Sequence, residues 1–205
     1  MAICKKFNIE ENLEAVKVWT TEIKALNKLK SHPNIVSLIN HYFEPHTKTL
    51  AIITEHPSDN LLSDEIMRRI TSKTQFSEAE ICSVLAQASH ALAFAHRHNI
   101  FHLNLSPKAI IFNKEDKKIK ICDFTAPEMS FPSYSELKNE VKKDDIWAIG
   151  AIGYDMMTLQ PLGESMPKTE ESEYRKELTT FIMWLLEENS SMRPNFTEIM
   201  EIPEI

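Results

Sequence analysis

The residue types best suited to chemistry crowd into two short stretches of this chain. One reads His102-Leu103-Asn104-Leu105-Ser106-Pro107-Lys108-Ala109; the other, downstream, is Asp123-Phe124-Thr125. The Asn104 amide can donate and accept hydrogen bonds but has no useful basicity near neutral pH. His102 is expected to be a buried, loop-bracing histidine and not an acid–base group. Other chemistries are excluded by what the chain lacks. It has only three glycines, Gly150, Gly153 and Gly163, so no Gly-rich phosphate loop can form. Cys4, Cys82 and Cys122 show no C-x-x-C or Cys/His ligand spacing, which predicts free thiols in a reducing compartment. His41, His46, His90, His96 and His98 form no convincing metal set, and His96 and His98, beside a helix end, are expected to be solvated.

Positioning those residues requires a folded scaffold, and the composition supports one. The 205 residues are 42% hydrophobic and 26% charged, ordinary for a soluble globular protein. A net charge of −7 argues against a broad nucleic-acid surface. Lys117, Lys118 and Lys120 sit beside Glu115 and Asp116 and read as a solvated turn. With no apolar signal region and no stretch of membrane-spanning length, the expected location is the cytoplasm or nucleus, without membrane contact.

Periodicity then supplies the elements. A strand is expected over residues 1–7, an amphipathic helix over 14–30 from the spacing of Val16, Trp19, Ile23, Leu26 and Leu29, and strands over 35–43 and 49–54. A linker is expected at 56–60. Helices follow at 62–72 and 77–98, the second opened by Ser77 with Glu80 three residues on, the pattern of a capping box. Two short strands are expected at 109–112 and 118–122, then a very apolar helix at 144–159 and helices at 178–188 and 195–200. A small strand-plus-helix unit therefore precedes a larger helical one.

Several segments, in this order, resemble the eukaryotic protein-kinase family. They are Ala2-Ile3-Cys4-Lys5, Glu22-Ile23, His32-Pro33-Asn34-Ile35-Val36, Leu50 to Glu55, the 102–109 loop, Asp123-Phe124-Thr125, Ala126-Pro127-Glu128, Asp145-Ile146-Trp147 and Arg193-Pro194. Residues 77–112 lean toward NIMA-related serine/threonine kinases and kinase-like pseudokinases. The resemblance implies an α+β, two-lobed fold: a small lobe over 1–55 lacking the family's first two strands, a hinge at 56–60, and a mostly helical large lobe over 61–205. It further implies a nucleotide-facing set of Lys5, Glu22, Thr54, Glu55, His56 and Asp123, with Thr54 at the gatekeeper, Glu55 and His56 in the hinge, and Asp123 at the metal position. Either Cys4 or Lys5 occupies the strand-lysine position, since neighbouring side chains face opposite ways, and Lys5 is favoured. His102, Asp145 and Trp147 are implied as structural, and Glu128 with Arg193 as a structural pair.

The departures from the family's pattern bear on catalysis. Asn104 stands at the catalytic aspartate, and losing a general base costs typically about 10²–10⁴ in rate. Ser106 replaces the lysine that steadies the phosphate, Ala109 the metal-binding asparagine, and Leu103 an arginine. Thr125 runs straight into Ala126-Pro127-Glu128, leaving almost no activation segment. The expectation is a catalytically impaired domain, a pseudokinase working through protein partners. The alternatives are a weak ATP- and Mg2+-dependent serine/threonine kinase or nucleotide-binding module, and a truncated product with little function of its own.

Overall fold

The computed structural model describes residues 2–8, 14–56, 60–125, 134–162 and 174–202. The small lobe is a three-stranded antiparallel sheet, β1 (Ala2–Asn8), β2 (Leu38–Glu44) and β3 (Thr49–Glu55), with β3 in the centre. Helix α1 (Glu14–Leu29) lies against it, burying Ile23, Ala25, Leu26 and Leu29. The Trp19 indole N–H donates to the Ala51 carbonyl at 3.0 Å, tying the helix to the middle strand. In β1 the alternation places Lys5 opposite Ile52 and Phe7 opposite Leu50, while Cys4 turns to the exposed side.

The large lobe begins with β4 (Asn60–Leu61), which pairs with β5 (Ile110–Phe112), itself paired with β6 (Ile119–Ile121). Helix α2 (Leu62–Ser72) follows, then α3 (Glu78–Arg97), where Ser77 and Glu80 exchange the reciprocal bonds of the capping box. Burial pushes the Glu65 carboxyl up, but hydrogen bonds from Arg68, Arg69 and Lys114 outweigh it and hold the group well below the usual carboxylate range. Helix α4 (Tyr134–Thr158) packs against α3, with α5 (Lys176–Leu185) against α4 and α6 (Phe196–Met200) against α3. Helix α4 starts ten residues before the expected 144, because Ser135 to Lys143 is polar but rich in strong helix formers. The expected linker is likewise shortened, since Asn60 already pairs in β4; residues 57–59 lie outside the described residues.

Two features knit the lobes together. Residues 34–36 run alongside β6: the Val36 N–H donates to the Ile121 carbonyl at 3.0 Å, and the Ile121 N–H to the Asn34 carbonyl at 2.8 Å. The Asn34 amide also donates to Gln87 of α3 at 2.8 Å and to the Ile119 carbonyl at 3.0 Å. Around this seam one continuous apolar cluster includes Leu26, Leu29 and Ile52 of the small lobe with Leu85, Ile110, Phe124 and Ile149 of the large one. The lysines at 117–120 are not a merely solvated turn. Lys117 pairs with Glu80 and Lys120 with Glu55, each at 2.8 Å, because their long stems reach the carboxylates of neighbouring elements.

Candidate functional site

Lys5 is the strand residue that faces the cleft, which resolves the choice between it and Cys4. Its ammonium lies 3.0 Å from Glu22 Oε2 and 2.5 Å from Asp123 Oδ1. Strand alternation aims Lys5 inward, α1 carries Glu22 on its buried face, and the turn after β6 delivers Asp123. Glu22 is nearly fully enclosed, whereas Asp123 is half exposed. Burial pushes the Glu22 carboxyl above its ordinary value, and the Lys5 charge pulls it back only partly. For Lys5, burial acts to lower the ammonium pKa, but the Asp123 hydrogen bond and the Glu22 charge overcome it and leave it raised. Two carboxylates thus share one ammonium. When all three groups are ionised the cluster carries one excess negative charge, and its exposed member is Asp123.

The loop beneath is braced from behind. Asp145, fully buried on α4, accepts at Oδ2 from the His102 N–H (2.9 Å) and at Oδ1 from the Leu103 N–H (2.8 Å). His96 completes the set, its Nε2–H reaching Asp145 Oδ2 at 2.7 Å. Leu103 and Asp123 both have positive φ, 56° and 71°. Such a conformation costs a non-glycine residue on the order of 1–3 kcal/mol and persists only where surroundings impose it. The Asp145 carboxylate does so at Leu103.

His102 is buried and donates from Nε2 to the Cys122 carbonyl at 2.8 Å, while its ring meets Phe124 edge-on. Burial pushes its pKa down, so it sits as a neutral brace. The neighbouring Cys122 thiol is driven up to about 12 by burial and by the Asp123 and Glu22 charges, and is not a nucleophile.

The remaining expected residues fall into place unevenly. Asn104 is exposed at the cleft floor and Ser106 precedes a short 3₁₀ turn, Pro107–Ala109. Ala109 is buried, and its carbonyl accepts from the Cys122 N–H at 2.9 Å. Thr54 lies in β3 opposite Ile3 and Leu38. Glu55 commits its carboxylate to Lys120 and the Ser37 N–H. His56 is half-buried at the strand's end.

Trp147 lies beneath the Arg193 guanidinium, 4.9 Å from its ring centre. Arg193 also donates to the Lys143 and Glu187 carbonyls. The expected partner Glu128, with Ala126 and Pro127, lies outside the described residues.

One expectation is corrected. His96 is buried and bonded to Asp145, because its spacing from Ala88 and Leu92 puts it on the inner face of α3. Asn34 and Gln87 went unassigned by the sequence reading, although Asn34 stands in a segment it singled out.

A comparison with family models matches residues 1–134 to the protein kinase domain. Among curated relatives, cyclin-dependent kinase-like 4 of Mus musculus is 31% identical over 179 residues, covering 79% of this chain and 50% of that protein. Cyclin-dependent kinase F-3 of Oryza sativa subsp. japonica is 35% identical over 167 residues, covering 73% and 36%. Serine/threonine-protein kinase Nek8 of Danio rerio is 26% identical over 229 residues, covering 98% and 32%. The chain spans half or less of the length of these relatives. With the lysine–carboxylate cluster and the braced loop in place, and the family model covering well over half of its residues, the chain belongs to the protein kinase domain family.

Proposed function

We propose that this chain is a catalytically impaired kinase-like domain, a pseudokinase that keeps a nucleotide-facing charge cluster and acts through protein contacts. The observation that carries this reading is a contrast inside one cleft. Lys5, Glu22 and Asp123 are assembled within hydrogen-bonding distance. The loop facing them offers Asn104, Ser106 and Ala109, where phosphoryl transfer needs a base, a cation and a metal ligand.

The cluster's residues fit a magnesium–nucleotide. Lys5 is the phosphate cation, and half-exposed Asp123 is a hard oxygen donor of the kind Mg2+ prefers. When bound, the metal would offset charge on the phosphates. Glu22 holds Lys5 in position, His102 and Asp145 fix the loop, and Asn104 can hydrogen-bond a hydroxyl but cannot take its proton. The reading divides the chain into a small lobe at 1–55, a hinge at 56–60 and a large lobe from 61 onward. Its partner is another protein.

The test pairs two measurements on the purified chain. Phosphate transfer from labelled ATP to generic protein substrates and to the chain itself is expected to stay at background. Turnover that disappears in Asp123→Ala would refute the impaired reading. Thermal unfolding with ATP and Mg2+ tests retained occupancy: ligand at 100 times its Kd stabilises by about 2.7 kcal/mol. A rise in Tm that is lost in Lys5→Ala is expected; no rise at millimolar nucleotide removes nucleotide binding from the proposal.

A further inference from the structure

A second cavity, of about 1000 Å3, opens on the large lobe between α3, the start of α4 and the 190–200 segment. Its described lining includes five basic or imidazole side chains, His90, His96, Arg97, Lys142 and Lys143, and no carboxylate. That is an unusual concentration for a chain whose net charge is −7. Ser190, Ser191 and Thr197 add hydroxyls, and Phe196 an apolar wall. Two acids border it and both are committed: Asp145 lies behind His96, bonded to its Nε2–H and to the 102–103 backbone, and Glu198 Oε2 is held by the Asn195 N–H at 2.7 Å as the cap of α6. Lys143 donates to the Arg193 carbonyl, whereas Arg97 and Lys142 have no ion-pair partner among the described residues.

An independent observation comes from His96. Its relative exposure is 7%, and its Nε2–H is committed to Asp145. A carboxylate oxygen can only accept, so in the neutral ring Nδ1 is a bare acceptor. That atom is buried and has no hydrogen-bond partner among the described residues. A buried acceptor left unmade costs about 1–3 kcal/mol, so a group that supplies a donor there is favoured. The cations ask for an anion and Nδ1 asks for an N–H or O–H.

We propose that this cavity is a binding site for a phosphorylated peptide, with Arg97 and Lys142 taking the phosphate and His96 Nδ1 accepting a backbone N–H of the same ligand. Inorganic phosphate would fill only a small part of the volume, while a phosphorylated side chain with flanking backbone uses the hydroxyls and Phe196 as well. Phe196 leans edge-on against the His96 ring at 4.9 Å and is the side chain that turns aside on binding. Occupancy also reaches the cleft: His96 and the 102–103 backbone share the Asp145 carboxylate. The site is separate from the Lys5–Asp123 cluster and does not depend on nucleotide binding there.

The experiment titrates the isotope-labelled full chain, followed by amide NMR, with three probes: N-acetyl-phosphoserine N-methylamide, its unphosphorylated counterpart, and inorganic phosphate. The phosphoserine probe is expected to shift signals of residues 96–97 and 190–200, and to bind at least about tenfold tighter than either control. The double variant Arg97→Ala/Lys142→Ala is expected to lose about tenfold or more, and Asp123→Ala to lose nothing. Equal affinity for inorganic phosphate or for the unphosphorylated probe overturns the proposal. So does an unaffected double variant, the absence of binding at millimolar probe, or shifts centred on Lys5 and Asp123. Should the double variant fail to fold, the signal map on the unaltered chain decides alone.

Discussion

Asp155 shows how a single side chain sets a pH dependence. It sits near the C-terminus of α4, where burial pushes its carboxyl up to about 6, only partly offset by the Leu162 N–H donating to Oδ1 at 2.9 Å. A negative charge at a helix C-terminus is disfavoured as well. An acid whose folded pKa exceeds its unfolded one binds more protons when folded, so its contribution falls as pH rises from about 4 to about 6. Asp155→Asn keeps the acceptor and removes the charge. At pH 7.5 it is expected to stabilise by about 1–2 kcal/mol, a value discounted for partial exposure. Thermal melts at pH 7.5 and 3.5 check this, with the gain confined to the higher pH. At this scale the sequence was readable wherever alternation or a short motif assigned a direction. Strand parity narrowed the cleft-facing residue to Cys4 or Lys5, with Lys5 favoured, and Ser77 was marked by its capping partner. His96 was not, because proximity to the helix end was weighed above its place on the apolar face, and its real partner lies 49 residues away.

Among the elements, α3, α4 and α5 meet so closely that a Cβ at either of two glycines would be crowded, one far more than the other. A Cβ on Gly150 would lie 2.8 Å from the Leu185 Cβ, an atom fixed to its backbone. One on Gly153 would meet side-chain atoms beyond the Cβ, Ile182 Cγ1 at 3.1 Å and the Leu85 methyls at 3.2 Å. Alanine gains about 1 kcal/mol over glycine in a helix interior, and overpacking costs about 1–3. Gly150→Ala is therefore expected to destabilise by about 1–2 kcal/mol in urea unfolding, while Gly153→Ala stays within about 1 kcal/mol of the parent. Element type and order were legible from periodicity because these helices carry one apolar face. The early start of α4 was not, since polar helix formers with few apolar residues leave no strong stripe to read. Residues 35 and 36 were read as the start of a strand over 35–43; the partner of this run, β6, is more than eighty residues downstream, and no local pattern announces such a pairing.

The molecule as a whole depends on that run. Asn34→Ala removes two part-buried hydrogen bonds, to Gln87 Oε1, which keeps the Ile119 N–H as a donor, and to the Ile119 carbonyl. A loss of about 1–3 kcal/mol is expected. Hydrogen exchange should quicken at Val36 and Ile121 before it does in α3 or α4; unchanged protection at those two amides would show that the apolar cluster alone joins the lobes. The seam has a mechanical consequence. Because residues 34–36 are stitched to β6, and β6 runs on into Asp123, the small sheet can rock only about an axle passing close to that carboxylate. Displacement grows with distance from an axle, so the tip of the β2–β3 hairpin sweeps an arc while Lys5 and Asp123 hold their spacing. A protein gripping that tip would have a long lever on the cleft's mouth and almost none on its charge cluster.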